Sequence, residues 1–469
     1  MLPKREIYDI YPSVIKADVV CKMTIVATER AFMFFDGVEY SISIASVNTD
    51  DDYYKNSCKK TVKATAHDGI IKFEYTFKGE QEHLIILEKD GVELCRLHVY
   101  SLYDDLYDAY PLKGDFHVHS YRSDGTRDPA ALAGFYREQG YDLFSLTDHN
   151  RFYPGGEIDE IYNGVNTGFI RVTGEEVHAP TNPIHIVRVG GRDSVCEQYF
   201  KYPEKYNCEI EEYEKKVPSD IPREYVSRYA RAMWATDKIH ESGGIAIFPH
   251  PYWRPRNQVF NVCDDFARIL LKSGMFDAYE LIGGMTQTDI NRSVNLWAEL
   301  KEEGVNIPVV GSSDVHVIEN SVYFPFIFTI LFAKDKSEKG ILNAIKDGNC
   351  VAVEANGNDE CSRQHRAYGK LRYVSYAQYL IEYFYPKYQR LCSAGGVFMR
   401  LYALNDTPRE LVELCTNEAE KFKDRFFGKK PAHTPDSDML EFEERWRDVQ
   451  LNGPRNKGSN IYGSANRQI

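Results

Sequence analysis

Between residues 17 and 103 apolar positions recur at every second residue or gather in short runs, over 20–28, 40–46, 71–77, 84–87 and 92–100. A period of two is that of a half-buried strand. Lys89-Asp90-Gly91, between the last two runs, is a hairpin signal. Several short strands at this spacing predict an N-terminal β-sandwich-like accessory domain over 1–110, with Asp104-Asp105-Leu106-Tyr107-Asp108 as its linker. From 111 to 355 the pattern changes to short apolar strands separated by helical stretches. Strands are predicted at 115–119, 143–146, 169–172, 184–189, 245–248, 276–282, 307–310, 326–332 and 350–353, and helices at 128–139, 221–241, 289–303 and 338–346. Asp128 followed by Pro129 is a helix start, with the carboxylate as cap and Pro in the first turn. Repeated strand and helix units indicate an α/β barrel or a doubly wound sheet. Residues 193–218 carry Tyr and charge without clear period and read as an insertion. Beyond 356, helices are predicted at 368–391 and 408–427, giving a helical C-terminal extension over 356–469 that ends in a polar tail around 456–460. The tyrosines of 368–391 are expected to serve helix packing.

Composition narrows the class. At 469 residues the chain is too long for one ordinary core, so two or three domains are expected. It is 43% hydrophobic and 27% charged, as a globular protein is. No apolar run approaches the roughly 20 residues of a membrane span, and the start, Met-Leu-Pro-Lys-Arg-Glu, lacks a signal-peptide core. A cytoplasmic protein is the expectation. A net charge of −13 argues against nucleic acid as a partner, although a local basic pocket can still hold one anion. Ten cysteines without a Cys-x-x-Cys pair fit reduced, buried thiols.

Candidate chemistry collects in the strand-helix region. In a strand over 115–119, His117 and His119 leave the same face and can both reach one ion at about 2.0–2.1 Å. Alone such a pair is as often an ordinary surface strand. Eight of the thirteen histidines, however, fall between 117 and 316, and His117, His119, His149, His250 and His316 sit at or just after the end of a predicted strand. In parallel α/β architectures those carboxyl ends converge on one pocket. Asp124, Glu175, Glu176 and Asp314 stand beside them. Mixed imidazole and carboxylate suit zinc, manganese or iron, with too many candidates for one ion.

His117-Val-His119-Ser, Ser123-Asp124-Gly125, Thr147-Asp148-His149, Gly174-Glu175-Glu176-Val177, His185-Ile-Val, Pro249-His250-Pro251 and Ser313-Asp314-Val-His316 resemble, in order, the motifs of the PHP (polymerase and histidinol phosphatase) superfamily of metal-dependent hydrolases. The preceding β domain and the Glu-Glu pair look more like its carbaryl-hydrolase-like (CehA/McbA) branch. The resemblance implies a distorted (β/α)7 TIM-like barrel, two or three divalent ions and, as the commonest activity, phosphoester hydrolysis. Carried across, it makes His117, His119, Glu176 and Asp314 ligands of one ion, Asp124, His149 and His316 of a second, and His185 and His250 of a third, with Glu176 bridging. Asp124 stands where some relatives have His, which leaves the second ion more carboxylate-bound. Gly-x-Glu spacing favours Glu176 over Glu175 as the ligand. Asp115, Asp148, Glu175 and His178 suit a supporting layer that orients ligands, and His240 suits a helix end, where a cation complements the dipole.

Three divalent ions would outweigh the ligand carboxylates, so an anionic small-molecule substrate is expected. The attacking group would be a metal-bridging hydroxide held near Glu176, Asp314 and His316. Arg122, Arg254 and Arg256 follow ligand motifs and suit a second substrate anion, while Tyr252 and Trp253 suit stacking on a flat group. Two other functions stay open: hydrolysis of a carbamate, ester or amide by the same metals, and a non-catalytic metal-bound binding protein. A homo-oligomer is compatible with the sequence.

Overall fold

Alternation in the first hundred residues becomes a mostly antiparallel sheet in the computed structural model, which describes residues 7–49, 59–180, 182–356 and 364–452. The chain's first residues and the polar tail expected at 456–460 lie outside the described residues. Two compact units result, one of Met1–Tyr107 with Lys421–Ile469, the other of Asp108–Glu420.

In the smaller unit, Val20–Ala27, Glu39–Ser46, Ile70–Thr76, Gln81–Lys89 and Val92–Leu102 form on or near the predicted runs, joined by Tyr8–Tyr11, Val14–Lys16 and Lys59–His67. Asp90 and Gly91 both have positive φ, at 52° and 78°, as a tight hairpin between Gln81–Lys89 and Val92–Leu102 requires. Ile25, Ile42, Ile44, Phe73, Ile85, Leu87 and Val99 fill the core. Lys59–His67 escaped the sequence reading because lysine and threonine occupy most of its positions and few of its residues are buried. The segment read as a linker contains a helical turn, Asp104–Tyr107.

The larger unit is α/β. Tyr110–Val118, Leu143–Leu146 and Ile170–Val172 pair in parallel. A second sheet orders Gly174–Val177, Ile186–Val189, Ile245–Phe248, Ala278–Ile282 and Val309–Gly311. Only Ile186–Val189 in this second sheet runs antiparallel to its neighbours. Parallel bridges from His149 to Glu176 and from Val118 to Val315 join the two sheets, so both contribute to one barrel-like wall. Tyr110–Val118 also pairs antiparallel with Ile327–Ala333, which continues through Cys350–Asn356 to Gln364–Tyr368. The helix Pro129–Glu138 starts as its sequence demands, with Asp128 accepting from the Ala131 N–H at 2.9 Å.

Residues read as an insertion fold into Cys196–Lys201 and Pro203–Glu214, whose Tyr199, Tyr206 and Ile210 pack with Trp234 of Val226–Glu241. The stretch 368–391 divides into Leu371–Tyr383 and Tyr385–Ala403. Tyr376, Tyr379, Tyr385 and Tyr388 are buried there. Tyr385–Ala403 lies close on Pro129–Glu138, since a Cβ on Gly396 would stand 2.4 Å from the Gly134 carbonyl oxygen. Among the described residues no helix is long and apolar enough to cross a membrane.

Candidate metal centre

The ends of the strands bring the histidines together. His117 and His119 lie at the end of Tyr110–Val118, His149 follows Leu143–Leu146, and His250 follows Ile245–Phe248. Asp314 and His316 come after Val309–Gly311. Glu176 lies within Gly174–Val177, and His185 immediately precedes Ile186–Val189. Because that last strand runs backwards, its beginning lies at the same edge as the ends of the others.

Glu176 is the hub. Its Oε2 lies 3.3 Å from His117 Nε2, 3.4 Å from His119 Nε2 and 2.9 Å from His149 Nδ1. Its Oε1 lies 2.7 Å from His185 Nδ1 and 3.3 Å from His250 Nε2. Asp314 Oδ1 adds contacts of 3.2 Å to His117 Nε2 and 3.1 Å to His119 Nε2, and its Oδ2 lies 4.0 Å from His250 Nε2. On the outer side Asp124 Oδ2 stands 3.2 Å from His316 Nε2 and 3.7 Å from His149 Nε2, while Asp124 Oδ1 stands 3.7 Å from His119 Nδ1. Ligands about 2.1 Å from one ion stand about 3.0–3.4 Å from each other in octahedral or tetrahedral geometry. The spacing among His117, His119, Glu176 and Asp314 falls in that range.

Orphaned atoms test the fit to metal independently. His117 Nε2, both nitrogens of His119, His149 Nδ1, His250 Nδ1 and Glu176 Oε2 are buried and lack a hydrogen-bond partner. Buried polar atoms normally have one, so this convergence suits divalent ions better than a protein-only network. Four overlapping groups have ligand atoms within 4.8 Å of one another: His119, Asp124, His149 and His316; His117, His119 and Glu176; His117, His250 and Asp314; His149, Glu176 and His185. Without ions, protons take the place of cations. Burial opposes charge on His117, yet Asp314, Glu176 and Glu280 raise its pKa well above the ordinary value. Against burial, His185 and His117 hold Glu176 well below the carboxylate range. Burial also opposes charge on His316, but its hydrogen bond to Asp124 and the Asp314 and Asp124 charges bring it up to about 9. His250 and Asp314 adopt positive φ, 23° and 51°, a costly backbone state for such residues.

The supporting residues divide differently from the sequence expectation. Asp115, expected to orient an imidazole, accepts instead from the backbone N–H groups of His117 at 3.2 Å and Ser313 at 3.0 Å, and from the Tyr136 hydroxyl at 2.8 Å. Asp148 accepts from the Ser120 N–H at 2.8 Å and from the hydroxyls of Ser120 and Ser123, each at 2.6 Å, and so shapes the loop that carries Asp124. Glu175 faces away from the centre. It pairs with buried Arg188 at 2.6 Å and accepts from the Val195 N–H and the Ser194 hydroxyl, as period two dictates for the neighbour of an inward Glu176. His178 lies at the rim, its ring 4.3 Å from that of His185, and burial together with His185 and His149 lowers its pKa to about 4. His240 pairs with Asp277 at 2.7 Å.

The expected substrate residues also separate. Arg122 is engaged by Glu157 at 2.6 Å, and Arg254 by Asp289 at 2.7 Å. Arg256 is exposed, with φ 54°. Tyr252, expected to stack on substrate, is only 1% exposed and packs against Phe260. Trp253 is 36% exposed, with its ring 5.7 Å from His185 and 6.0 Å from His250. The difference comes from the turn in which the Trp253 N–H donates to the His250 carbonyl at 3.0 Å, folding the indole back over the imidazoles.

Glu280 was missed by the sequence reading. It is fully buried in Ala278–Ile282, and its Oε2 accepts from His117 Nδ1 at 2.9 Å. The available signal was a single acid inside the apolar run Ala-Tyr-Glu-Leu-Ile.

No family model and no curated protein matches the chain. Among solved structures it is similar to a two-domain protein from Bacteroides vulgatus that contains a predicted PHP-like metal-dependent phosphoesterase. That protein is 19% identical, with 56% of this chain and 77% of the other covered, at a TM-score of 0.36. An amidohydrolase from Chromobacterium violaceum with bound sulfate and no metal is 17% identical, with 45% of this chain and 89% of the other covered, at a TM-score of 0.30.

Proposed function

We propose that the chain is a metal-dependent hydrolase of the PHP type, built on a distorted (β/α)7 barrel, that cleaves a small-molecule phosphoester. The observation that carries this reading is the division of Glu176 between two sets of imidazoles, three on Oε2 and two on Oε1. A carboxylate shared in this way suits a bridge between ions. His117, His119, Glu176 and Asp314 would hold one ion, Asp124, His149 and His316 a second, and His185 and His250 a third. Zinc, manganese and iron all suit the donor set. Bound ions would supply a water nucleophile active near neutral pH and would neutralise the oxygens of the group under attack.

The chain's own residues account for the rest. Even with Glu280 added to Asp124, Glu176 and Asp314, three divalent ions leave the pocket positive, which favours an anionic substrate over a neutral one. Trp253 offers an apolar face at the rim, fitting a flat leaving group beside His185 and His250. Asp115 ties the strand bearing His117 to the loop bearing Asp314, so the two ligands keep their spacing without relying on an ion.

The test is turnover by the full chain after loading with manganese, zinc or ferrous iron. Phosphate release from p-nitrophenyl phosphate, or p-nitrophenol from the corresponding diester, is the expected result. Turnover of aryl acetates or carbamates alone would move the reaction to a carbonyl carbon. A fully loaded protein inert on all of them would be a binding protein.

A further inference from the structure

An imidazole has two nitrogens, and at His117 they face different worlds. Nδ1 meets Glu280 Oε2 at 2.9 Å, whereas Nε2 faces Glu176 at 3.3 Å and Asp314 at 3.2 Å without a hydrogen-bond partner. Glu280 differs from the other buried acids around the centre. Asp115, Asp148 and Glu175 each hold backbone N–H groups. Among the described residues Glu280 has only His117 as hydrogen-bond partner, and its Oε1 has none. Taking a carboxylate out of water is costly unless it is well paired, so structural bonding does not account for this one.

The chain after it also makes room. A Cβ on Gly283 would stand 2.8 Å from Glu280 Oε1 and 2.4 Å from the Ser312 carbonyl oxygen. A Cβ on Gly284 would stand 2.4 Å from Asp314 Oδ2. The Gly-Gly pair thus lets Glu280 and Asp314 approach His117 from its two sides. Among the described residues no other ligand histidine has a separate carboxylate hydrogen-bonded to its far nitrogen: the nearest carboxylate to His119 Nδ1 is Asp124 at 3.7 Å, His250 Nδ1 has no partner, and His316 Nδ1 has the Asp314 carbonyl oxygen at 3.0 Å instead.

We infer that Glu280 is the positioning carboxylate of the centre, holding His117 in the form that presents Nε2 to the ion and making that nitrogen the stronger donor. A carboxylate behind a ligand histidine fixes the tautomer and raises ligand basicity, and its loss weakens metal binding by about 10–100-fold. The ion that His117 would hold is therefore expected to bind tightest, because among the described residues His117 alone has a carboxylate hydrogen-bonded to the nitrogen that faces away from the centre. This rests on the metal-centre reading above.

The experiment titrates zinc into metal-stripped full chain against a chromophoric chelator, with bound zinc counted by mass spectrometry and unfolding followed without metal. Glu280→Gln keeps an acceptor for Nδ1 but removes the charge. It is expected to weaken the tightest zinc by about 10-fold, and Glu280→Leu by about 100-fold, with the weaker ions unaffected. A residue that only packs would lower the metal-free melting temperature and leave zinc affinity alone. Unchanged affinity in Glu280→Gln overturns the inference, and that variant decides if Glu280→Leu does not fold. His117→Ala separates the two ideas, because zinc uptake like that of the wild type in this variant would overturn the metal-centre reading itself.

Discussion

Each side chain at the centre is defined by what lies opposite it. Glu176→Gln removes the charge that five imidazoles face, so more than one ion should be lost and hydrolysis should fall at least about 100-fold, checked by bound metal and by rate. The His316 proton gives a pH signature. Burial opposes that proton, but the Asp124 carboxylate at 3.2 Å from Nε2 keeps it on up to about pH 9 without metal, so an ion entering there must expel it. Affinity at that position should weaken as pH falls below 9, by about tenfold per unit from this proton alone, whereas zinc titrations at pH 6, 7 and 8 with equal constants would contradict it. Adjacent aromatics should part company. Trp253→Ala is expected to raise KM for an aryl phosphate several-fold with little change in kcat. Tyr252→Ala, in the core, should instead cost about 3–5 kcal/mol of stability in urea unfolding. The order of residues 250–253 could not tell these roles apart, because a turn decides which ring folds back.

Elements hold these side chains at strand ends and on the loops that follow them. Gly284 has φ +43° and its Cβ would strike Asp314, so Gly284→Ala should push the carboxylate aside and lower zinc occupancy while the strand Ala278–Ile282 survives. Asp115→Ala leaves the backbone N–H groups of His117 and Ser313 without their acceptor, while the Tyr136 hydroxyl keeps Ser313 Oγ at 3.2 Å. It should destabilise the larger unit by about 1–3 kcal/mol for each group left unpaired, read by urea unfolding of metal-free protein. At this scale strands and helices with strong periodicity were legible. Helices Cys196–Lys201 and Pro203–Glu214 were not, because their buried Tyr199, Tyr206 and Ile210 are spread thinly among charges and gain their meaning only against Trp234.

For the whole molecule, ions bound by residues of Asp108–Glu420 should stabilise that unit and leave the other untouched. Calorimetry with and without a chelator should move one transition only, by an amount equivalent to about 2.7 kcal/mol when free metal is 100 times its Kd. From sequence alone came the strand periods, the cap at Asp128, and the recurrence of histidine and carboxylate at strand ends, because these depend on neighbours within a few residues. The partners of Arg122 and Arg254, the pairing of Glu175 with Arg188, the burial of Tyr252 and the pairing of Glu280 with His117 were decided only in three dimensions. Glu280 and His117 are 163 residues apart, and nothing local to either announces the other; the barrel-like wall supplies the distance of closest approach that turns an acid in an apolar strand into a partner for an imidazole.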